Sequence, residues 1–340
     1  MSTSESSVRP SNVIFNIVTS MWAAQATAVA ARLGIADQIE KGLTSSDAIA
    51  DAVGASRDGV YRLMRACSTI GIFRETSKGQ FVNTPVSETL RSDTPGSMRD
   101  FIIEEMAPGH WLPWGKLYDA VVNCKPTTFA TLGSDCWTYY SKNIEEGAVF
   151  SRAMGNISAM ASQAVLAKVD LSSFKHVMDV GGAFGEFLSH VLSANPTSTG
   201  VLYDLDHVIA GAKDVIAKKG LSNRVQLLTG SFMDSVPAGG DLYLLKHILH
   251  DWSDAECRTI LQNIRKAMKP SSKVLIVELL IPEDGSPGLA QFMDLNMMVM
   301  LTGRERSAEE FSVLLASCGF KLERVQPTDS PFVAMIAAAG

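Results

Sequence analysis

Basic residues are not in excess in this chain: 30 lysines and arginines stand against 36 aspartates and glutamates, a formal net charge of -6. No global positive field is present to draw in nucleic acid or an anionic membrane surface, so neither is expected as a partner. Cysteine is sparse and unpatterned. The five (Cys67, Cys124, Cys136, Cys257 and Cys318) are odd in number and nowhere spaced CxxC. That excludes a disulfide framework and a cysteine zinc site, and reads as reduced thiols in a cytoplasmic protein. The polar opening MSTSESSVRP lacks the charged-then-apolar order of a secretion signal. No run of about eighteen apolar residues stands out, so nothing is expected to span a membrane.

Material for packed cores is plentiful. Hydrophobic residues make up 46% and charged ones 19% of 340 residues, which suits more than one globular domain. Residues 12–40 are apolar and alanine-rich with few breakers, as a helix or helix pair would be. The low charge of this stretch fits burial against a second copy of the chain, and equally the core of its own domain. Thr44 and Asp47 have capping-box spacing ahead of Ile49, Ala50 and Val53, and Gly54 can end that helix. Ser56 can cap a second helix whose Val60, Leu63, Met64, Cys67 and Ile70 share one face, ending near Gly71. IFRETSKGQFVN then reads as a hairpin about Ser77–Gly79.

Helix, helix, hairpin is a winged helix-turn-helix, which raises DNA binding as a rival function. Residues 1–100 contain ten Lys/Arg and ten Asp/Glu, whereas a DNA reader shows a basic face. Arg57, Arg62 and Arg65 on the second helix do not make one. Residues 100–170 read as helices broken at Pro126 and Gly133. They hold two aromatic clusters, Trp111–Trp114–Tyr118 and Trp137–Tyr139–Tyr140, expected to be core rather than a ligand wall. From Phe174 onward strand alternates with helix: HVMDVG, GVLYDL, VQLLTG, DLYLLKHIL and KVLIVELLI are strands, with helices near 186–193, 207–219 and 254–267. The expectation is an α/β doubly wound, mainly parallel sheet, with ligands at the C-terminal strand ends near the switch in strand order. The domains are placed at 1–100, 101–170 and 171–340.

The first of these strands ends in Asp179-Val180-Gly181-Gly182-Ala183-Phe184-Gly185. Glycines there let the backbone turn sharply and approach a ligand that a Cβ would exclude. The spacing is not the GxGxxG of dinucleotide binders. It matches the D-x-G-x-G-x-G turn of class I methyltransferases, with Ala183 in place of the middle glycine. Asp204 ends the second strand, where a carboxylate can accept from both ribose hydroxyls of a nucleoside or cap the following helix. After the third strand, Phe232 can pack on adenine and Ser231 can bond its edge. Lys246 lies in the apolar fourth strand, where an unpaired ammonium is costly, so it reaches water or serves a ligand.

Methyl transfer from a sulfonium needs an acceptor in line and a base. A phenol with a pKa of about 10 is mostly protonated at neutral pH, and histidine suits removal of that proton. His250-Asp251-Trp252 follows the fourth strand on the ligand-bearing edge. MDVGGAFG, YDLDHV, LLTGSFMDSVP, LKHILHDWSDAEC, VELLIPEDG and GRERSAEEF occur in that order. Together they resemble the plant caffeic-acid and flavonoid O-methyltransferases, the acetylserotonin methyltransferases and the bacterial carotenoid and antibiotic O-methyltransferases, over nearly the whole chain.

That resemblance implies S-adenosylmethionine as cofactor, no metal, a winged-helix dimerisation domain, a homodimer and a hydrophobic aromatic acceptor. It also implies His250 as general base, with Glu278 and Glu305 orienting its ring. Read without the family, Glu305 between two arginines would be a surface charge. Gly181, Asp204, Ser231, Phe232 and Lys246 fall on the family's cofactor positions, and Tyr140, Met154 and Ser158 on places where its helical linker touches the cofactor. Asp251, Met297 and Met300 fall on the acceptor side, with Met293 and Met298 nearby; the methionines read equally well as helix core. Two departures bear on the cofactor: Ala183 for glycine, and Ser231 where the family has an acidic residue. Asp294 and Asn296 are a thin basis for a magnesium site of the catechol type. Some antibiotic-pathway proteins resemble this family yet hydroxylate or decarboxylate; the His250, Glu278 and Glu305 set argues for methylation.

Overall fold

A computed structural model describes residues 9–340, which divide into two compact units. One runs to Trp111 and takes in Tyr140–Asn156; the other comprises Leu112–Tyr139 and Ile157–Gly340.

The first unit opens with helix Pro10–Arg32, whose leading proline has no N–H to leave unsatisfied in the first turn. No charged side chain occurs in it before Arg32. Only Ala28, Ala30 and Ala31 are buried, whereas Ile14, Phe15, Ile17, Val18 and Trp22 are exposed. The helix is long and apolar enough to cross a bilayer, with a mean hydropathy of 1.4 over eighteen residues. This corrects the expectation that no such run exists: Asn, Ser, Thr and Gln interrupt the apolar sequence without adding charge.

Gly34, in the left-handed region at φ +67°, separates this helix from Ile35–Glu40. Helices Ser46–Val53 and Arg57–Thr69 follow. Ser56 caps the latter as expected, accepting from the Gly59 N–H. Thr44 does not cap the former: its hydroxyl donates to Gln80 Oε1 at 2.9 Å and Ser45 takes the cap position, so the capping box at Thr44 and Asp47 does not form. The hairpin consists of β1 (Phe73–Ser77) and antiparallel β2 (Gln80–Asn83). Ile35, Ile49, Val60, Met64, Phe73 and Phe81 form the core of this helix–helix–hairpin module. Arg57 is paired with Asp51 at 2.7 Å and Arg62 with Asp58 at 3.5 Å, and the Arg65 guanidinium lies over the Tyr61 ring, 5.3 Å from its centroid.

Six helices fill 99–166: Arg99–Glu105, Pro108–Trp114, Leu117–Asn123, Thr128–Leu132, Cys136–Lys142 and Ile144–Leu166. The aromatic clusters are not uniformly core. Tyr140 is 8% exposed, but Tyr118 is 79% and Trp137 45% exposed.

In the second unit β3 (His176–Val180), β4 (Thr199–Asp204), β5 (Val225–Thr229), β6 (Leu242–Lys246) and β7 (Lys273–Glu278) are parallel, and β8 (Phe320–Pro327) and β9 (Val333–Ala339) are antiparallel. The strand order β5-β4-β3-β6-β7-β9-β8 reverses direction between β3 and β6. Helices Glu186–Ala194, Asp206–Lys218 and Asp254–Ala267 form the expected crossovers, the last opened by a capping box of Ser253 and Glu256. The period of two along the strands divides the core between the sheet's faces: Leu242 and Leu244 join one cluster, Tyr243 and Leu245 the other. Each such fully buried side chain contributes about 1.5–3 kcal/mol. The C-terminal ends of five strands thereby lie in register along one edge, fixed by a rigid core.

Candidate functional site

The strand-order reversal places the glycine turn beside the end of β6. Gly181 (φ +71°) donates its N–H to Tyr203 O at 2.8 Å, drawing the turn toward β4. A Cβ on Gly181 would stand 2.7 Å from Ile248 Cδ1 and 3.2 Å from the Phe232 ring, so no larger residue fits without displacing them. Ala183 occupies the left-handed region at φ +49°, where glycine would be unstrained. Its N–H donates to Asp204 Oδ2 at 2.9 Å, and Asp204 Oδ1 accepts from Leu205 N–H at 2.7 Å. The carboxylate is therefore oriented by the glycine turn, and helix Asp206–Lys218 starts without a side-chain cap.

Behind the turn, Asp179 is buried and its Oδ2 has no hydrogen-bond partner among the described residues. Burial pushes this carboxyl up to about 7, against the pull of Lys246. The Lys246 ammonium is pulled down by its own burial, opposed first by Asp179 and then by Glu278. Lys246 thus sits in the field of carboxylates on the two neighbouring strands. Phe232 meets Trp252 edge-to-face at 5.8 Å, Ser231 Oγ accepts from Met233 N–H, and Asn263 clamps this loop by donating to the Phe232 and Met233 carbonyls.

The densest electrostatics lie one strand further along. After β6 the chain forms a single 3₁₀ turn, Leu249–Asp251. His250 Nδ1 lies 2.8 Å from Glu305 Oε1 and 3.9 Å from Glu278 Oε2, and Nε2 lies 3.4 Å from Asp251 Oδ1. Both glutamates are 0% exposed. Glu278 Oε1 accepts from the Ile248 and Leu249 N–H groups at 3.1 and 2.9 Å. Burial alone would lower the His250 pKa; Glu278, Asp251 and Glu305 outweigh it and raise the imidazole to about 10. Burial pushes Glu278 up to about 7 and Asp251 up to about 6, with His250 pulling each back. An imidazole so placed is a strong proton acceptor, with Nδ1 fixed by Glu305 and Nε2 on the side of Asp251.

Sequence reasoning singled out Glu305 but missed what holds it. Asp294 Oδ1 accepts the Glu305 N–H at 2.9 Å, which gives that carboxylate a structural duty. Arg306 is buried and donates to Leu249 O, Trp252 O and Asp254 Oδ1, spanning the turn that carries His250. Gly303 lies directly against that turn: a Cβ on it would be 1.8 Å from His250 O. The GRER string held the signal, a glycine and an arginine flanking an inward glutamate, but in sequence it reads as an exposed charged loop.

Met297 and Met300 are 6% and 4% exposed on helix Leu289–Met300. Asn296 on that helix accepts from Trp114 Nε1 at 2.7 Å. Ser158 is buried in the same unit. Tyr140 and Met154 belong to the first unit, where Tyr140 donates to Glu104 Oε1 at 2.9 Å and stacks on Phe150. Glu104, Glu105 and His110 there, like His250, Glu278 and Glu305, are of metal-ligating type with ligand atoms within 4.8 Å of one another. In the latter set Nδ1 is taken by Glu305 and Glu278 Oε1 by two N–H groups.

Known proteins resemble this chain over most of its length. The model of the O-methyltransferase domain matches residues 114–321, and that of the O-methyltransferase dimerisation domain residues 15–93. A phenazine O-methyltransferase of Lysobacter antibioticus is 37% identical over 320 residues, 94% of each chain. A phenazine-1-carboxylate N-methyltransferase of Pseudomonas aeruginosa is 32% identical over 327 residues, 96% of each. The crystal structure of human N-acetylserotonin methyltransferase with S-adenosylmethionine superposes with a TM-score of 0.90 at 27% identity, covering 99% of this chain and 100% of that one.

Proposed function

The chain belongs to the O-methyltransferase family and is an S-adenosylmethionine-dependent methyltransferase, and on that premise we propose that it methylates a hydroxyl of an aromatic small molecule, with His250 as general base. The cofactor supplies an electrophilic methyl group on a sulfonium sulfur. The glycine turn fits such a group, since the Asp204 carboxylate is held at the strand end by the Ala183 and Leu205 N–H groups. Gly181, Asp204, Ser231, Phe232 and Lys246 would hold it, Asp204 through ribose hydroxyls and Phe232 through the adenine face, with Ser158 contributing from the helical segment.

The observation that carries the reading is the 2.8 Å contact of His250 Nδ1 with buried Glu305. In the neutral form of His250, with Nδ1 holding a proton for Glu305, Nε2 is left to accept one, and Glu278 and Glu305 stabilise the imidazolium that results. A phenol needs that service because its proton must leave as oxygen is alkylated. An amine attacks through a free lone pair and has no such need. The similarity to an N-methyltransferase keeps amine methylation as the second reading. Asp251 beside Nε2, with Met297 and Met300, would bound the acceptor.

The exposed apolar face of helix Pro10–Arg32 lies largely within the matched dimerisation domain. It is read as the surface of a homodimer rather than a membrane anchor. The five free cysteines fit a reducing cytoplasm. The test is incubation with methyl-labelled cofactor and a panel of phenols, flavonoids, quinones and hydroxyindoles, each beside its amine analogue. Transfer to hydroxyls that is lost in His250→Gln supports the proposal. Transfer to amines that survives that substitution refutes it.

A further inference from the structure

The strand that carries the base ends in a backbone conformation that residues other than glycine seldom adopt. β6 stops at Lys246, and His247 follows with φ +53°, a region that bulky and above all β-branched side chains avoid. Ile248 returns to φ −117°, ψ −55°. A left-handed residue followed by a right-handed one turns consecutive N–H groups to the same side and makes a small anion-binding nest. The anion here is Glu278, whose Oε1 receives the Ile248 and Leu249 N–H groups. The His247 N–H stays with the sheet and donates to Val277 O at 3.0 Å. Within three residues the chain leaves the sheet, grips the carboxylate at the end of the adjacent strand and delivers His250 above it.

The imidazole of His247 does not explain this conformation by polar bonding. Its Nε2 is buried without a hydrogen-bond partner among the described residues. Its ring packs on Phe332 with centroids 4.4 Å apart, and lies 5.9 Å from the His250 ring at a 48° tilt, too far for proton exchange between the two. Packing on one side and the sheet bond on the other hold the backbone where it is. Outliers of this kind persist where the surroundings over-determine them, and they collect at working sites.

We propose that His247 is a positioning residue: its left-handed backbone builds the nest that fixes Glu278 and thereby seats His250. The proposal rests on His250 being the base. A purely structural role through packing predicts a different order of variants, because valine keeps more apolar volume at 247 than glycine, whereas glycine alone adopts the conformation freely.

The experiment compares His247→Gly with His247→Val in the full chain, measuring kcat, KM and binding of S-adenosylhomocysteine. His250 is titrated by NMR in the absence of acceptor, in the field of Glu278, Glu305, Asp251 and Lys246. Expected is a loss of kcat of about a hundredfold for valine and about tenfold or less for glycine, with cofactor binding retained in both. The His250 titration should move toward that of an ordinary imidazole in the valine protein and stay nearer the parent's in the glycine protein. Valine retaining activity equal to or better than that of glycine overturns the proposal in favour of packing, and inactivity of both overturns it by assigning the chemistry to the His247 imidazole itself. If the valine chain does not fold, His247→Asn against His247→Leu makes the same comparison, since asparagine tolerates the left-handed region and leucine does not. A parent protein that methylates nothing defeats the functional reading, while the acceptor-free titration still tests the positioning.

Discussion

Replacing Glu305 by glutamine isolates what one carboxylate does for the base. In the parent, burial depresses the His250 pKa, but Glu278, Asp251 and Glu305 reverse that and carry it to about 10. The Glu305 contact at 2.8 Å is a charge-assisted hydrogen bond between a part-buried imidazole and a buried carboxylate. Such bonds contribute about 1.5–3 kcal/mol. At 1.36 kcal/mol per pKa unit this amounts to about one to two units. Glu278 at 3.9 Å and Asp251 at 3.4 Å remain, so the variant imidazole should titrate near 8 to 9 by this order-of-magnitude reckoning.

The sign follows from which form works. Below its pKa His250 already carries the proton it is meant to accept, so kcat/KM climbs as pH rises through that value. In Glu305→Gln the climb should therefore begin one to two units lower, as a rough estimate. The plateau should fall by about a hundredfold, because the base is weaker and the amide can present its NH2 to Nδ1 and force the wrong tautomer. A pH–rate profile from pH 6 to 11 at saturating cofactor, read beside the NMR titration of His250, tests both. A limb that stays in place, or moves to higher pH with the plateau intact, would refute the assignment of Glu305 as the group that raises and orients this imidazole.

Three further substitutions have defined outcomes. Gly303→Ala puts a Cβ where the His250 carbonyl now lies at 1.8 Å, so the catalytic turn must shift; kcat should fall about a hundredfold while calorimetry shows cofactor binding retained. Arg306→Met strands the Leu249 and Trp252 carbonyls and frees Asp254, which should cost about 3 kcal/mol in urea unfolding, and a loss below about 1 kcal/mol would deny the clamp. Asp179→Asn tests the carboxyl under the glycine turn. Its folded-state pKa of about 7 exceeds the ordinary 3.8, so between those values the folded chain holds a proton the unfolded chain has lost, and stability falls as pH rises. Asparagine should flatten that fall, with a gain of a few kcal/mol at pH 8 and little at pH 4; an unchanged slope would place the titration elsewhere.

The fold was legible wherever local pattern and burial agree. Apolar runs ending in glycine, a lone carboxylate or, in β6, a lysine are five parallel strands, and the crossover helices sit where capping residues and periodicity put them. β8 and β9 escaped notice because FKLERVQP alternates charge with apolar residues at the sheet edge, while VAMIAAA has alanines where strand formers are expected. Thr44 escaped because its hydroxyl had a rival acceptor in Gln80, 36 residues away, which a spacing rule does not weigh. Tyr118 and Trp137 were misplaced in a core for a similar reason: aromatic composition says nothing of which side of a short helix faces solvent.

The site divides along the same line. Gly181, Asp204 and His250 stand at strand ends, and a strand end is a position the sequence itself marks. Glu305 is different. On sequence grounds a glutamate between two arginines is solvated, yet here the three neighbours part company: Arg304 pairs outward with Glu310, Glu305 turns in to His250, and Arg306 turns in to the carbonyls of the His250 turn. The arginine that made Glu305 look exposed is itself 2% exposed, its charge met by Asp254 and backbone oxygens rather than water. A buried arginine can only be afforded where several carbonyls converge without donors of their own, and a 3₁₀ turn leaving a strand end creates that shortage. The need for Arg306 therefore arises from the same break in the sheet that lifts His250 into place.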